Sequence, residues 1–376
     1  MTRINTPLSC LFVFLFLLPL FSMAQGTDTV ATYSLSAYMD MYYAYYTDST
    51  GPGDFQQFPT TSPVSNSIGL NTLQVSSKFD GKRIRELATI HVGDIARSTW
   101  SSTYNLVQEA HGGFRIYKNL WVDVGFFRTH FGTELLLPCE NITSSVTVGT
   151  FHEPYYQAAA RLNYTAHDQW EISLYLLNGY GLYADNNHRK SVGMAVNYTV
   201  NEALSIGYTN YLGNDAPDSV TISKTMFANN MYINYREGNI KLQIGGDFFT
   251  ERHANLVNRA NAALMYSGLA TVGYYTDDHW GVYTRGEIFH DPNGLVSKII
   301  TDATGHRMGF MLWGITTGLE FRPNKQSYIR LEGRKLQMDS HEAIFRYNGM
   351  DRNYRYEIML NAGISFTLIN GVLTRS

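Results

Sequence analysis

The feature that most constrains this chain is a hydrophobic period of two. From Tyr356 to Thr367, the residues Tyr356, Ile358, Leu360, Ala362, Ile364 and Phe366 alternate with Glu357, Met359, Asn361, Gly363, Ser365 and Thr367. An extended segment with that order has one greasy face and one polar or small face. The pattern recurs where Leu242, Ile244, Gly246 and Phe248 oppose Lys241, Gln243, Gly245 and Asp247, and where Ile329 and Leu331 oppose Tyr328, Arg330, Glu332 and Arg334. It recurs again where Ile172, Leu174 and Leu176 oppose Glu171, Ser173 and Tyr175. After Ala24 no stretch approaches the roughly 18 consecutive apolar residues of a membrane helix, and no long segment keeps a period of 3.6.

The connections carry a second regularity. Short polar turns at Asp80-Gly81-Lys82, Lys118-Asn119, His167-Asp168-Gln169, Asn201-Glu202, Glu237-Gly238-Asn239, Asp277-Asp278-His279 and Pro323-Asn324-Lys325 alternate with longer stretches. The long stretches are 47–65, 96–105, 132–154, 180–190, 213–224, 251–258, 291–307 and 339–352. Together these divide the chain into about 16 strands, the first read as Tyr33 to Tyr46 and the last as Arg355 to Leu368. Short turns at one end and long loops at the other are the signature of a transmembrane antiparallel β-barrel with periplasmic turns and extracellular loops. Within lipid only full closure satisfies the edge groups of a sheet, and an even count closes naturally.

Composition agrees. Only 16% of residues are charged, against roughly 25% in soluble domains. Aromatics reach 14%, with 27 Tyr, and Trp121, Trp170, Trp280, Tyr42, Tyr43, Tyr45, Tyr46 and Tyr274 are read as interfacial girdles. A soluble sandwich with aromatic core strands is the competing fold; the leader, the even strand count and the loop asymmetry weigh against it. A net charge of -3 argues against nucleic acid as a partner. Arg3, the apolar run Leu11 to Phe21 and Ser22-Met23-Ala24 have the order of a cleavable signal peptide, so residues 1–24 are read as the leader and 25–376 as one barrel domain in the outer membrane. Cys10 precedes the apolar run, and Cys139 is then the one thiol of the mature chain, which excludes an internal disulfide.

A barrel of about 16 strands is wide enough for an aqueous channel. With the greasy face toward lipid, the opposite face carries Asp40, His91, Glu109, Arg115, Asp123, Arg161, Asp247, Arg285, Glu287, Arg330, Glu332, Arg334 and Glu357. Both signs are present, which predicts a wet lumen of weak selectivity. One strand poses a problem of phase: Val122, Val124 and Phe126 face lipid, and strict alternation carries Arg128 and His130 onto the same face. Either a bulge near Phe126-Phe127 turns them inward, or they lie at the outer rim. The following loop, 132–154, is the longest and is the candidate constriction, with Glu134, Glu140 and Glu153 presenting acid to the opening; an exposed outer loop is the alternative.

Several segments resemble the beta-barrel porins of the second type, the OmpL-like family of Gram-negative bacteria. They are Tyr38-Met39-Asp40-Met41-Tyr42-Tyr43-Ala44-Tyr45, Val107-Gln108-Glu109-Ala110, Leu120-Trp121-Val122-Asp123-Val124-Gly125 with His130-Phe131-Gly132-Thr133-Glu134, and Glu153-Pro154-Tyr155-Tyr156. The resemblance is specific between Tyr38 and Tyr211 and diffuse beyond. It implies an outer-membrane porin passing small hydrophilic solutes, with no catalytic residue to carry over. The chain departs from many outer-membrane barrels in its tail, since Leu368 to Ser376 follow Phe366 instead of a terminal aromatic residue.

No Gly-x-Ser-x-Gly elbow, His-Glu-x-x-His pair or phosphate-cradling loop occurs, so neither an enzyme nor a cofactor or metal is expected. His130, Asn141 and Ser144 are the one set from which a triad could be assembled, and spacing alone supplies no triad. The competing functional class is a plugged surface barrel whose outer loops, with Tyr183, Tyr347, Asn348 and Tyr354, bind a ligand, a phage or another cell. The expected partners are outer-membrane lipids, small hydrophilic solutes and the barrel assembly machinery, and association into homotrimers is plausible for a large barrel.

Overall fold

The computed structural model describes residues 30–48, 50–220, 222–301, 305–339 and 343–374. The leader read at residues 1–24 lies outside them. Sixteen strands make the wall. They are β1 (Val30–Tyr46), β2 (Ser67–Asp80), β3 (Ile84–Val92), β4 (Val107–Tyr117), β5 (Leu120–Arg128), β6 (Tyr156–Ala166), β7 (Trp170–Leu177) and β8 (Ser191–Thr199). The second half comprises β9 (Leu204–Gly213), β10 (Met226–Glu237), β11 (Ile240–Glu251), β12 (Ala263–Tyr275), β13 (Trp280–Asp291), β14 (Phe310–Asn324), β15 (Ser327–Met338) and β16 (Tyr354–Thr374). Each pairs antiparallel with the next in chain order, and β16 returns to β1, so the barrel has no edge. All seven short turns and all eight long connections fall where the alternation of polar turns and long stretches places them. Two short hairpins, Ile300–Thr301 with Arg307–Met308 and Phe345–Tyr347 with Met350–Arg352, lie in the last two long loops.

The ends of the wall differ from the expected limits. The first strand begins at Val30, before Tyr33, and the last runs past Leu368 to Thr374, because Val30 pairs with Thr374 and the register continues to Leu35 opposite Ile369. The next pair is Ser36 with Thr367, so Leu368 is an extra residue whose bulge lets pairing continue where the strict alternation stops.

Period two is expressed as burial. Leu331 is 51% exposed on the outer wall, whereas its neighbour Arg330 is 0% exposed on the inner one. Tyr43, Tyr45, Trp170, Tyr274 and Trp280 are exposed, as girdle residues should be. Trp121, Tyr42 and Tyr46 are not girdle residues. They occupy the inward phase and are buried, with the Tyr42 hydroxyl donating to Asp94 at 2.6 Å and the Tyr46 hydroxyl to the Ser62 carbonyl at 2.7 Å. The apolar core therefore lies inside the barrel, where Phe131 and Val148 of the long loop pack with Phe127, Leu177, Phe249, Met265, Phe289 and Leu336 of the wall.

Candidate channel and its constriction

The segment after β5 folds into the barrel, and the charges of the wall explain why it stays there. Irregular backbone at membrane depth is tolerated only where protein satisfies its polar groups. Here Glu332 accepts the backbone N–H of Ser144 at 2.8 Å and of Ser145 at 3.1 Å, and Glu287 accepts that of Val148 at 2.8 Å. Arg330 donates to the carbonyls of Pro138, Thr143 and Asn141 at 2.7, 3.0 and 3.0 Å. Arg285 donates to the Ser145 carbonyl at 2.5 Å and pairs with Glu134 at 2.6 Å, while Glu134 also accepts the N–H of Thr147 at 2.7 Å. A helical turn, Val148–His152, closes the anchor, capped by the Thr147 hydroxyl.

These contacts fix the place of each expected inward residue. Arg285, Glu287, Arg330, Glu332, Arg334 and Glu357 face inward but lie under the loop: Arg334 bonds Glu287 at 2.7 Å, and Glu357 accepts from Arg355 at 2.5 Å. The expectation that these six meet open water is thus corrected, because the loop backbone and their mutual pairs cover them. Asp40 is likewise sealed, accepting from Asn71 at 2.6 Å and from the Tyr328 hydroxyl. His91 is buried against Trp100 and lies 3.1 Å from the Gln108 amide. Asp123 takes both arms of Arg85 at 2.6 Å and Arg161 at 3.1 Å, and Asp247 accepts from Asn230 at 2.7 Å. Arg115 stands over the Trp121 ring at 4.6 Å and remains exposed.

The phase problem in β5 resolves without a bulge at Phe126-Phe127. Pairing with β6 runs unbroken from Leu120 to Arg128, and the strand then ends. The chain turns inward with the Thr129 N–H donating to the Tyr155 carbonyl at 3.0 Å. Arg128 reaches Glu140 with both arms, at 2.7 and 2.5 Å, and the His130 ring stacks on Tyr175 with centroids 4.3 Å apart. A bulge does occur one strand earlier: Thr89 pairs with Glu109 and Ile90 with Val107, which leaves Gln108 unpaired, and Glu109 accepts the Arg128 N–H at 3.2 Å.

Anchored to β13–β15, the loop leaves space on the other side. A cavity of about 330 Å³ is bounded by Ser98, Thr99, Tyr180 and the 151–156 segment. It shares Glu153, Pro154 and Tyr155 with a cavity of about 270 Å³ whose charged lining is Glu109, Arg128, Glu134, Glu140, Glu153 and Arg161. That one shares Leu135 and Glu140 with a third, of about 390 Å³, reaching the β8–β9 turn and Arg236, Lys241 and Gln243. The cavity of about 270 Å³ therefore brings Glu134, Glu140 and Glu153 together with Glu109 and Arg161 from the expected set. Burial, with the charges of Asp247 and Glu134 beside it, pushes the Glu153 carboxyl well above the usual range.

Sequence reasoning passed over Arg85, Glu320, Arg355 and Arg236, all on the inner wall, and placed Lys241 on the polar face without counting it among the inward charges. The signal was present, since Glu320 sits between Leu319 and Phe321 in the same alternation that identifies Arg330. His130, Asn141 and Ser144 are not brought into a triad: His130 is held by Gln157 and the Asn210 carbonyl, and the Asn141 amide is spent on the Leu135 and Leu137 carbonyls. Of the loop aromatics, Tyr183 is buried and donates to the Gln108 carbonyl at 2.6 Å, while Tyr347 and Tyr354 flank Arg352. Among the described residues no group of three or more His, Cys, Asp or Glu is arranged to hold a metal ion.

The family model described as "Putative beta-barrel porin-2, OmpL-like" matches residues 32–366 of the sequence. No curated protein sequence matches the chain. Among solved structures it is similar to the anion-selective porin from Comamonas acidovorans, with a TM-score of 0.61 at 10% identity, over 89% of this chain and 100% of that one. The outer membrane channel DcaP of Acinetobacter baumannii gives 0.60 at 10% identity over 89% and 97%. In vitro folded OmpT of Vibrio cholerae in its trimer form gives 0.56 at 10% identity over 89% and 99%. At these identities the likeness is one of fold.

Proposed function

The chain belongs to the putative beta-barrel porin-2, OmpL-like family, and from that membership we propose how its outer-membrane channel for small solutes is built. The solute path runs beside the β4–β11 wall, past Glu109, Arg128, Glu134, Glu140, Glu153 and Arg161, and the opposite charges of β13–β16 act as anchors for the constriction loop. The observation that carries this reading is the row of three cavities joined by shared residues on the side the loop leaves free. Passage is diffusive. Cations and anions meet both signs along this path, which keeps selectivity weak.

Three further elements belong to the same reading. Cleavage after Ala24 yields residues 25–376 as the mature barrel, supported by the order of charge, apolar run and small residues. The barrel assembly machinery inserts it in the outer membrane, with the barrel wall against lipid. Assembly as a homotrimer is supported by the trimer form of the similar OmpT. The test is single-channel conductance of the refolded mature chain in a planar bilayer, with salt gradients for the ion preference. Stable conductance steps, lowered in an R161Q variant, are the expected outcome; a folded barrel that never conducts removes the channel reading.

A further inference from the structure

Cross-strand neighbours of like charge repel, and placing them directly opposite destabilises the pair. In the register of β10 and β11, Arg236 lies directly opposite Lys241. Both occupy the inward phase, Arg236 with Asn230 and Tyr232, and Lys241 with Gln243 and Asp247. Among the described residues neither forms an ion pair with a carboxylate. Lys241 instead rests over the Tyr275 ring, 3.7 Å from its centroid, and the guanidinium of Arg322 approaches the same ring at 5.5 Å. The nearby acid, Glu320, is already bound to Arg322 and to the buried Arg330.

The two cations border the cavity of about 390 Å³. Its carboxylates are Glu140, which is held by Arg128, and Glu202 on the β8–β9 turn. We propose that this cavity is a binding subsite for the carboxylate or phosphate of a small organic anion, held by Arg236 and Lys241 at the periplasmic mouth. The proposal rests on the channel reading for its place on a path, but the site exists whether or not the barrel conducts. A bound anion would offset the repulsion in the register: the guanidinium offers paired donors to two of its oxygens, and the ammonium a compact charge. Lipid phosphate is not the source, because both side chains face the lumen.

Inorganic phosphate is the probe. Added on the side of the short turns to wild-type channels in a planar bilayer, it is expected to interrupt the current in a concentration-dependent way. The R236Q/K241Q variant should need at least tenfold more phosphate, and R115Q, which removes a different inward cation, should respond as the wild type does. Equal sensitivity in R236Q/K241Q, or an equal loss in R115Q, overturns the subsite. Calorimetric titration of phosphate into the folded barrel in detergent decides the matter independently of conductance. Heat of binding in wild type that vanishes in R236Q/K241Q supports the subsite even if no channel opens, which would count against the channel reading alone. No binding heat in wild type overturns the subsite even in a conducting protein.

Discussion

Arg330 concentrates what the inner wall does. It is fully buried between Glu320 and three loop carbonyls, so truncating it leaves one oxygen of Glu320 and the Pro138, Asn141 and Thr143 oxygens without that donor. R330A is expected to destabilise the barrel by about 3 kcal/mol, the low end for a broken buried pair because Arg322 still holds Glu320. Urea unfolding in lipid vesicles measures it, and a loss within about 0.5 kcal/mol, as at an ordinary surface site, would show the anchor to be idle. Glu153 gives the pH dependence. Its folded carboxyl binds a proton more tightly than the ordinary value of 4.5, because burial and the neighbouring Asp247 and Glu134 charges disfavour the anion. Its stabilising contribution is therefore complete below about pH 4.5 and declines as pH rises through the raised value. Wild type should lose heat resistance as pH rises above about 4.5 more steeply than E153Q, read as the temperature at which the folded band disappears on gels. Identical slopes in the two proteins would refute the assignment. Period two made the inward phase of Arg330 legible in the sequence, but its partners were not, because they come from a loop without any period.

At the scale of the element, a strand's phase and its exposure turn out to be separate properties. Alternation alone predicts that cysteines at Arg330 and Arg334 react with a membrane-impermeant reagent and that cysteines at Ile329 and Leu331 do not. The folded-in loop changes the first half of that expectation. In a C139S background, cysteines at Arg115 and Arg236, inward and exposed, should label rapidly. One at Arg334 should label slowly and one at Leu331 not at all. Fast labelling at Leu331 would invert the strand phase, and fast labelling at Arg334 would place the loop elsewhere. The strands themselves were readable to within a few residues, because each repeats one rule and ends at a turn. Deviations arose where one residue broke the rule: the bulges at Gln108 and Leu368, and the early end of β5 at Arg128. Glu109 was found by its neighbours in the alternation, yet its contact with Arg128 was not, because Arg128 lies where β5 ends and the alternation stops.

For the whole molecule the question is how a wall of sixteen strands comes to be filled on one side. A barrel of this strand number encloses an aqueous channel. Here one side is filled by loop, because the β13–β16 wall offers hydrogen-bond partners at the spacing of its backbone. The buried Asp291 is held by backbone N–H groups of Leu295, Val296 and Ser297 in another loop. The charges covered by the 132–154 loop or paired beside it come to four bases, Arg285, Arg330, Arg334 and Arg355, against four acids, Glu287, Glu320, Glu332 and Glu357. Their sum is zero, so uncovering them should widen the path without adding a field of one sign. Deleting residues 136–146 removes the part of the loop held by Arg330 and Glu332 while retaining Glu134, Val148 and Glu153. Conductance is then expected to rise by at least about twofold, because the open cross-section limits flow through a water-filled barrel. The reversal potential should move little, since the only charge removed is Glu140, and its partner Arg128 keeps the Glu109 carboxylate beside it. An unchanged conductance would mean that the loop does not bound the path. A large shift in reversal potential at raised conductance would mean that the uncovered wall is not the neutral lattice its pairs indicate.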